Sequence, residues 1–196
     1  MTDPEAHEPQ EIELKLAVAD HDAVRSAVER EGGQYLGTFE QTDQFYDSPQ
    51  GRLRQAGCGL RIRQIRQVDG PGGRIDPRPE VTFKGPRRLD AKAKIRPEYQ
   101  TRLDDAEAMA RVFEACGLEL FAVVGKTRSS FRLGGCMVEL DELAGVGRFV
   151  EIEGASEEAV FEIRDRLGLT GEPIHESYLA MVLRRGKKGS GREKGS

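Results

Sequence analysis

Glu11, Glu13 and Lys15 stand two residues apart, with Ile12, Leu14 and Leu16 filling the steps beside them. In a strand, alternate side chains share a face, so this spacing lines up two carboxylates and an ammonium on one side. Two carboxylates one pleat apart can lean toward a single divalent cation, and a lysine one pleat further on can hold an anion next to it. Taken singly, the stretch is also an ordinary half-buried strand with a wet outer face, because solvated antiparallel strands alternate in the same way. What sets it apart is recurrence. Arg61 and Arg63 share a face in Leu60-Arg61-Ile62-Arg63, and Lys84 ends the alternating piece Val81-Thr82-Phe83-Lys84. Between Lys92 and Arg102 the residues Lys94, Arg96, Glu98 and Gln100 fall on one side, with Ile95, Pro97, Tyr99 and Thr101 on the other. Lys126 and Arg128, Glu139 and Asp141, and Glu151 and Glu153 repeat the spacing.

The elements that would position these residues can be read in order. Residues 1 to 10 form a loose polar lead. Asp20 stands as an N-cap before Val24, Ala27 and Val28 at helical spacing, and Gly32-Gly33 ends that helix. An extended segment runs from Gln34 to Asp47, followed by the turn residues Pro49-Gln50-Gly51. Asp69-Gly70-Pro71-Gly72-Gly73 reads as a hairpin loop and not as a phosphate cradle, because no helical pattern follows it. Pro97 lacks an N–H and predicts a strand edge or a local bulge. Asp104 with Glu107 reads as a capping box before a stripe of Met109, Val112, Phe113 and Cys116, closed by Gly117. Glu119 to Leu133 is extended, and two short strands follow. Ser156 caps a helix with Val160, Ile163 and Leu167, and a last helix covers about 177 to 185. The tail 186–196, rich in Gly, Ser and Lys, is expected to be disordered. Residues 11–185 read as one domain.

Composition narrows the function classes. A chain of 196 residues that is 33% charged and 37% hydrophobic can bury a core without being disordered. The net charge of −4 gives no general attraction to nucleic acid or membrane. Cys58, Cys116 and Cys136 are an odd number without Cys-x-x-Cys spacing, which points away from zinc or a disulfide framework and toward a reducing, cytoplasmic setting. The polar first ten residues do not resemble a secretory signal, and no apolar run approaches 18 residues.

Helices are few, yet many apolar strand faces need cover. An antiparallel sheet closed into a barrel, with helices packed outside, would turn the charged faces inward, and about eight strands enclose room for one small ligand. A dry interior could not hold so many ions, since burying each costs several kcal/mol (order of magnitude). The lumen must therefore be wet and ion-filled. Polyphosphate suits the lysines and arginines, a divalent metal suits the carboxylates, and a purely basic groove would point to nucleic acid instead.

The ordered set Glu11-x-Glu13-x-Lys15, Arg61-x-Arg63, Lys84, Arg96-x-Glu98, Lys126-x-Arg128, Glu139-x-Asp141 and Glu151-x-Glu153 resembles the CYTH family, the triphosphate tunnel metalloenzymes. Gln41 to Asp47, Lys84-Gly85-Pro86, Gly147 to Glu153 and Ser177-Tyr178-Leu179 resemble its class IV adenylyl cyclase-like branch. The resemblance implies an α+β fold, an eight-stranded antiparallel closed β-barrel with a charged lumen. It also implies Mg²⁺- or Mn²⁺-dependent chemistry on a small triphosphate: ATP, tripolyphosphate or thiamine triphosphate. On that resemblance Lys15, Arg61, Arg63, Lys84, Arg96, Lys126 and Arg128 grip phosphates, with Lys84, Lys126 and Arg128 acting in the chemistry and either a lysine such as Lys84 or metal-bound hydroxide as the proton acceptor. Glu11, Glu13, Glu98, Glu139, Asp141, Glu151 and Glu153 would hold metal. A cyclase would make cyclic AMP and pyrophosphate, a triphosphatase would hydrolyse the terminal phosphate, and a polyphosphate or nucleotide sensor would bind without turnover. The family's usual Arg-x-Glu-x-Glu stands here as Arg96-x-Glu98-x-Gln100, which weakens one metal position. Asp43 and Tyr46 read as structural before lumen-lining, and a homodimer is implied by resemblance alone.

Overall fold

The computed structural model describes residues 9–71 and 78–189. Residues 1–8 of the lead, Gly72 and Gly73 of the glycine loop, and the tail from 190 lie outside the described residues. Eight strands follow the alternating stretches: β1 (Gln10–Val18), β2 (Gln34–Asp47), β3 (Gly59–Asp69), β4 (Glu80–Lys84), β5 (Lys94–Arg102), β6 (Glu119–Leu133), β7 (Cys136–Leu143) and β8 (Gly147–Glu153). They close into the expected barrel in the order β1-β5-β4-β3-β2-β6-β7-β8, with every pairing antiparallel. The fold is α+β, with five helices among the described residues lying outside the barrel: α1 (His21–Arg30), α2 (Arg52–Gln55), α3 (Ala106–Ala115), α4 (Glu157–Arg166) and α5 (Tyr178–Gly189).

The register keeps the charged positions in step. Glu13 lies opposite Lys94 and Glu153, Lys15 opposite Glu151, Asp43 opposite Arg63, and Arg128 opposite Asp141. Because paired residues point the same way, one inward residue on each strand commits its neighbours. The outward positions form the main core. Leu14, Leu16, Phe131, Val138, Leu140, Val150 and Ile152 pack beneath Val24, Ala27 and Val28 of α1 and Val160 and Ile163 of α4. The expected stripes of both helices are thus buried. Asp20 caps α1 by accepting from the Asp22 N–H at 2.9 Å, and Ser156 caps α4 by accepting from Ala159 N–H at 3.2 Å.

Three local readings are corrected. The cap of α3 is Asp105, which accepts from Ala108 N–H at 2.9 Å, whereas Asp104 turns to Arg78. Glu107 reaches Arg111 instead of folding back as a capping box. The packed face of α3 is Ala106, Met109, Ala110 and Phe113, set on Ile62, Tyr46 and Leu103, while Val112 and Cys116 face solvent. A helix turns about 100° per residue, so a stripe assigned from one edge admits a wrong neighbour. Pro97 makes neither an outer edge nor a bulge. Its carbonyl accepts from Gly85 N–H at 2.8 Å just beyond the end of β4, where a reciprocal donor has no strand to serve.

Candidate functional site

The inward faces enclose a cavity of about 540 Å³. Of the residues singled out from the sequence, Glu11, Glu13, Lys15, Arg61, Arg63, Lys84, Arg96, Glu98, Lys126, Arg128, Glu139, Glu151 and Glu153 line it together. Asp141 is the exception. It is fully buried behind the wall, where it accepts from Lys126 at 2.9 Å and from Arg128 at 2.6 and 2.5 Å.

The ions form linked pairs, not a disordered mixture. Asp43 accepts two parallel bonds from Arg63, at 2.6 and 2.8 Å, and a third from Arg61 at 3.0 Å. Burial alone would raise its pKa, but the two guanidiniums hold its carboxyl well below the usual range. Asp43 therefore fixes the fork of Arg63 and steers Arg61 into the bore. Arg128 spans Asp141 and Glu151, and Lys15 meets Glu151 at 3.1 Å. Glu139 accepts from the Ser130 hydroxyl at 2.6 Å, and burial keeps its pKa raised against Arg128. On the facing wall Lys94 meets Glu13 at 2.5 Å, Arg96 meets Glu11 at 2.9 Å, and Lys84 bridges Glu11 and Glu98. Burial would raise Glu11, yet Lys84, Lys94 and Arg96 bring it down to about 2. Lys126 is also lowered, which here disfavours its charged form. Burial, reinforced by Arg128, brings it down to about 8.

The two ends of the bore differ. At one end the inward residues turn apolar: Phe45, Val124, Leu143 and Phe149 pack with Tyr178, Leu179, Met181 and Val182 of α5. The segment leading to α5 is sewn across β1, Ile174 N–H donating to the Lys15 carbonyl at 2.8 Å and Lys15 Nζ to the Glu176 carbonyl at 3.2 Å. The opposite mouth is acidic, lined by Glu11, Glu98, Gln100 and Glu153 beside Pro9 and Gln10. Among the described residues Glu153 makes no ion pair. Loss of solvent and then the negative charge of Glu11 and Glu98 push its carboxyl up to about 7.

This acidic mouth, where Glu153 has no cation of its own among the described residues, is where a divalent cation would fit. Among the described residues no three acidic, histidine or cysteine side chains converge on one point. Mg²⁺ asks for less, taking one or two carboxylates and completing its shell with phosphate and water. Glu153 with Glu11 or Glu98 meets that requirement. Gln100 is already engaged, its carbonyl accepting from the Thr82 hydroxyl at 3.2 Å.

Several lining residues escaped the sequence reading. Asp43 lines the bore, while Tyr46 points outward against Phe113, with ring centroids 5.1 Å apart. The spacing Gln41-x-Asp43-x-Phe45 carried the signal, but polar neighbours hid the alternation. Lys94, already read on the charged face of Arg96, lines the bore beside it, as its spacing expects. Ser177, just before α5, and Tyr178, Leu179 and Leu183 within it line the bore, and nothing in a helix stripe says that it ends a barrel. Among the described residues, two of the lining residues carry a buried polar atom without a hydrogen bond of ordinary geometry, Arg61 at Nε and Tyr178 at its hydroxyl, as does Gln41 at Oε1 on the same strand as Asp43.

Comparison with known proteins agrees with this architecture. The family model described as CYTH domain matches residues 9–172. A Methanocaldococcus jannaschii protein named "Putative adenylate cyclase MJ0240" is 25% identical over 181 residues, covering 87% of this chain and 97% of the relative. A Vibrio parahaemolyticus structure described as "a putative adenylate cyclase" is 26% identical with a TM-score of 0.74, covering 88% of this chain and 97% of that one. A Hippeastrum protein described as a "Putative adenylyl cyclase" that "reveals a dominant triphophatase activity" shares the fold at 20% identity and a TM-score of 0.67, covering 90% and 96% of the two chains. With its closed charged barrel and a family match over most of its length, this chain belongs to the CYTH domain family.

Proposed function

We propose that the bore binds an organic triphosphate with a divalent metal, Mg²⁺ or Mn²⁺, and converts ATP to cyclic AMP and pyrophosphate. The observation that carries this reading is the arrangement of Arg61 and Arg63 on Asp43 and of Lys126 and Arg128 on Asp141. Each buried acid holds two cations toward a shared cavity. A polyphosphate chain offers the acceptors that these cations lack, and Arg61 Nε stands without a partner until one arrives.

In this scheme Arg61, Arg63, Lys126 and Arg128, with Lys15, Lys84 and Arg96, draw charge off the departing pyrophosphate as the ribose 3′-oxygen closes on the α-phosphorus. Positioning and electrostatics supply most of the acceleration. Lys84 serves as a grip, held at the mouth by Glu11 and Glu98, and the ribose 3′-hydroxyl proton leaves to water in the wet bore. Glu153, Glu11 and Glu98 are assigned to the metal, which when bound would neutralise phosphate charge and polarise a phosphoryl oxygen. Glu13, Glu139, Asp141 and Glu151 act as counter-charges that keep the cations in place. The apolar lining of Phe45, Val124, Leu179 and Leu183 adjoins the basic layer and suits the organic end of a nucleotide. The relative from Methanocaldococcus jannaschii carries a matching name.

The Hippeastrum protein indicates that fold alone does not choose between cyclisation and hydrolysis. The deciding experiment incubates the protein with Mg²⁺ or Mn²⁺ and either ATP or tripolyphosphate, then resolves cyclic AMP, pyrophosphate and orthophosphate. Cyclic AMP with pyrophosphate from ATP is the expected result. Orthophosphate from both substrates makes the protein a triphosphatase, and binding without any product makes it a sensor. A cytosolic site of action is proposed on the three free cysteines, and among the described residues no helix is long and apolar enough to cross a membrane.

A further inference from the structure

Tyr178 is the first residue of α5 and stands where the apolar end of the bore meets the ionic part. Its ring packs on Phe149 with centroids 5.3 Å apart. Lys15 Nζ lies 4.0 Å from the ring centroid and Lys126 Nζ 5.0 Å, so two cations hold the ring from the bore side. The Lys15 ammonium also donates to the Glu176 carbonyl, which fixes the residues just before the ring. The tyrosine is thus held on several sides. Its hydroxyl is buried and faces Asp141, yet makes no hydrogen bond of ordinary geometry.

A buried hydroxyl without a partner calls for an explanation. Asp141 is the rival acceptor, but its Oδ2 already accepts from Lys126 and Arg128 and its Oδ1 from Arg128, and the phenol reaches neither oxygen with ordinary hydrogen-bond geometry. Burial first, then the negative Glu151 and Asp141, keep the phenol protonated, so it has a proton to give. Its missing partner is therefore an acceptor, and one that neighbouring lysines also attract. A phosphate oxygen fits both conditions, and the first turn of α5 adds the partial positive charge of a helix N-terminus on the same side.

We propose that the Tyr178 hydroxyl is a direct contact for the bound triphosphate, donating to a phosphate oxygen seated by Lys15 and Lys126. This rests on the reading that the bore binds a triphosphate. It adds α5 to the binding machinery, so that the helix closing one end of the barrel also senses whether the bore is filled.

The test is Tyr178→Phe, which keeps the ring and its cation contacts and removes only the hydroxyl. Thermal unfolding is followed without ligand, tripolyphosphate binding is measured by calorimetry, and tyrosine difference absorbance is recorded on adding tripolyphosphate. The expected result is an unchanged or higher midpoint without ligand, since an unpartnered hydroxyl contributes nothing to the empty fold. Affinity for tripolyphosphate should fall about tenfold, as for a lost hydrogen bond to a charged group. A tyrosine difference signal should appear in the parent protein and vanish in the variant. Unchanged affinity, or an affinity loss with no such signal in the parent, overturns the proposal and assigns the hydroxyl to Asp141. If the parent protein binds neither tripolyphosphate nor ATP, the triphosphate reading itself fails and takes this contact with it.

Discussion

The inner and outer faces of the same strands obey opposite rules. On β6, Phe131 points outward, fully buried against Tyr35 at a ring distance of 5.2 Å, while Arg128 and Ser130 point inward to acids. On β1, Leu14 and Leu16 lie under helices, while Glu13 and Lys15 face the bore. In an ordinary small domain the strand faces turned to the middle hold the core. Here the core is a sleeve between barrel and helices, and the middle is an ion store. Stability and binding are therefore assigned to residues one step apart in sequence, and substitutions should separate them.

The largest effect belongs to the outer face. Phe131→Ala should lower stability by about 3–5 kcal/mol in urea unfolding, the cost of an aromatic lost from a packed core. Tripolyphosphate should stabilise this variant by as much as it stabilises the parent, because the bore is intact. An inner-face change should behave differently. Asp43→Asn leaves Arg61 and Arg63 without their shared counter-charge, and removing one partner of a buried pair costs about 3 kcal/mol. Added tripolyphosphate should recover most of that loss, since a polyanion supplies the charge that was removed. Rescue of Phe131→Ala, or failure to rescue Asp43→Asn, would erase the division between the two faces.

The division itself was legible in the sequence, because charge and apolarity alternate with the strand period over most of the chain. Residue spacing assigns a face but says nothing about depth. Asp141 lies on the correct face yet sits behind its cations instead of in the cavity. Asp43 was under-weighted because Gln41, Thr42 and Gln44 around it are all polar, so no apolar neighbours marked the alternation. The helix α2 is four residues long and shows no stripe. Where α5 docks depends on inward residues from four separate strands, Phe45, Val124, Leu143 and Phe149, which no local pattern joins. Local periodicity thus carried the wall of the site, and only the closed barrel showed how its ends are finished.

The smallest effect among these predictions concerns pH, and it sharpens the inner face further. Lys126 is buried beside Arg128 and titrates at about 8, below the ordinary lysine range. Below that pH it is a cation and holds phosphate; above it the empty protein carries a neutral amine there. Tripolyphosphate affinity should therefore be full below about pH 8 and decline as pH rises beyond it, by up to about tenfold for the loss of one charged contact. The sign is opposite to that of the ligand's own ionisation, because phosphate gains charge as pH rises. Calorimetric titration from pH 6.5 to 9.5 (roughly the window of a lysine lowered this far) reads the difference directly. In Lys126→Arg the guanidinium keeps its proton throughout, so the decline should disappear while affinity below pH 8 changes little. A decline that persists in the arginine variant would move the titrating group away from Lys126 and leave Arg61, Arg63 and Arg128 as the principal phosphate grips.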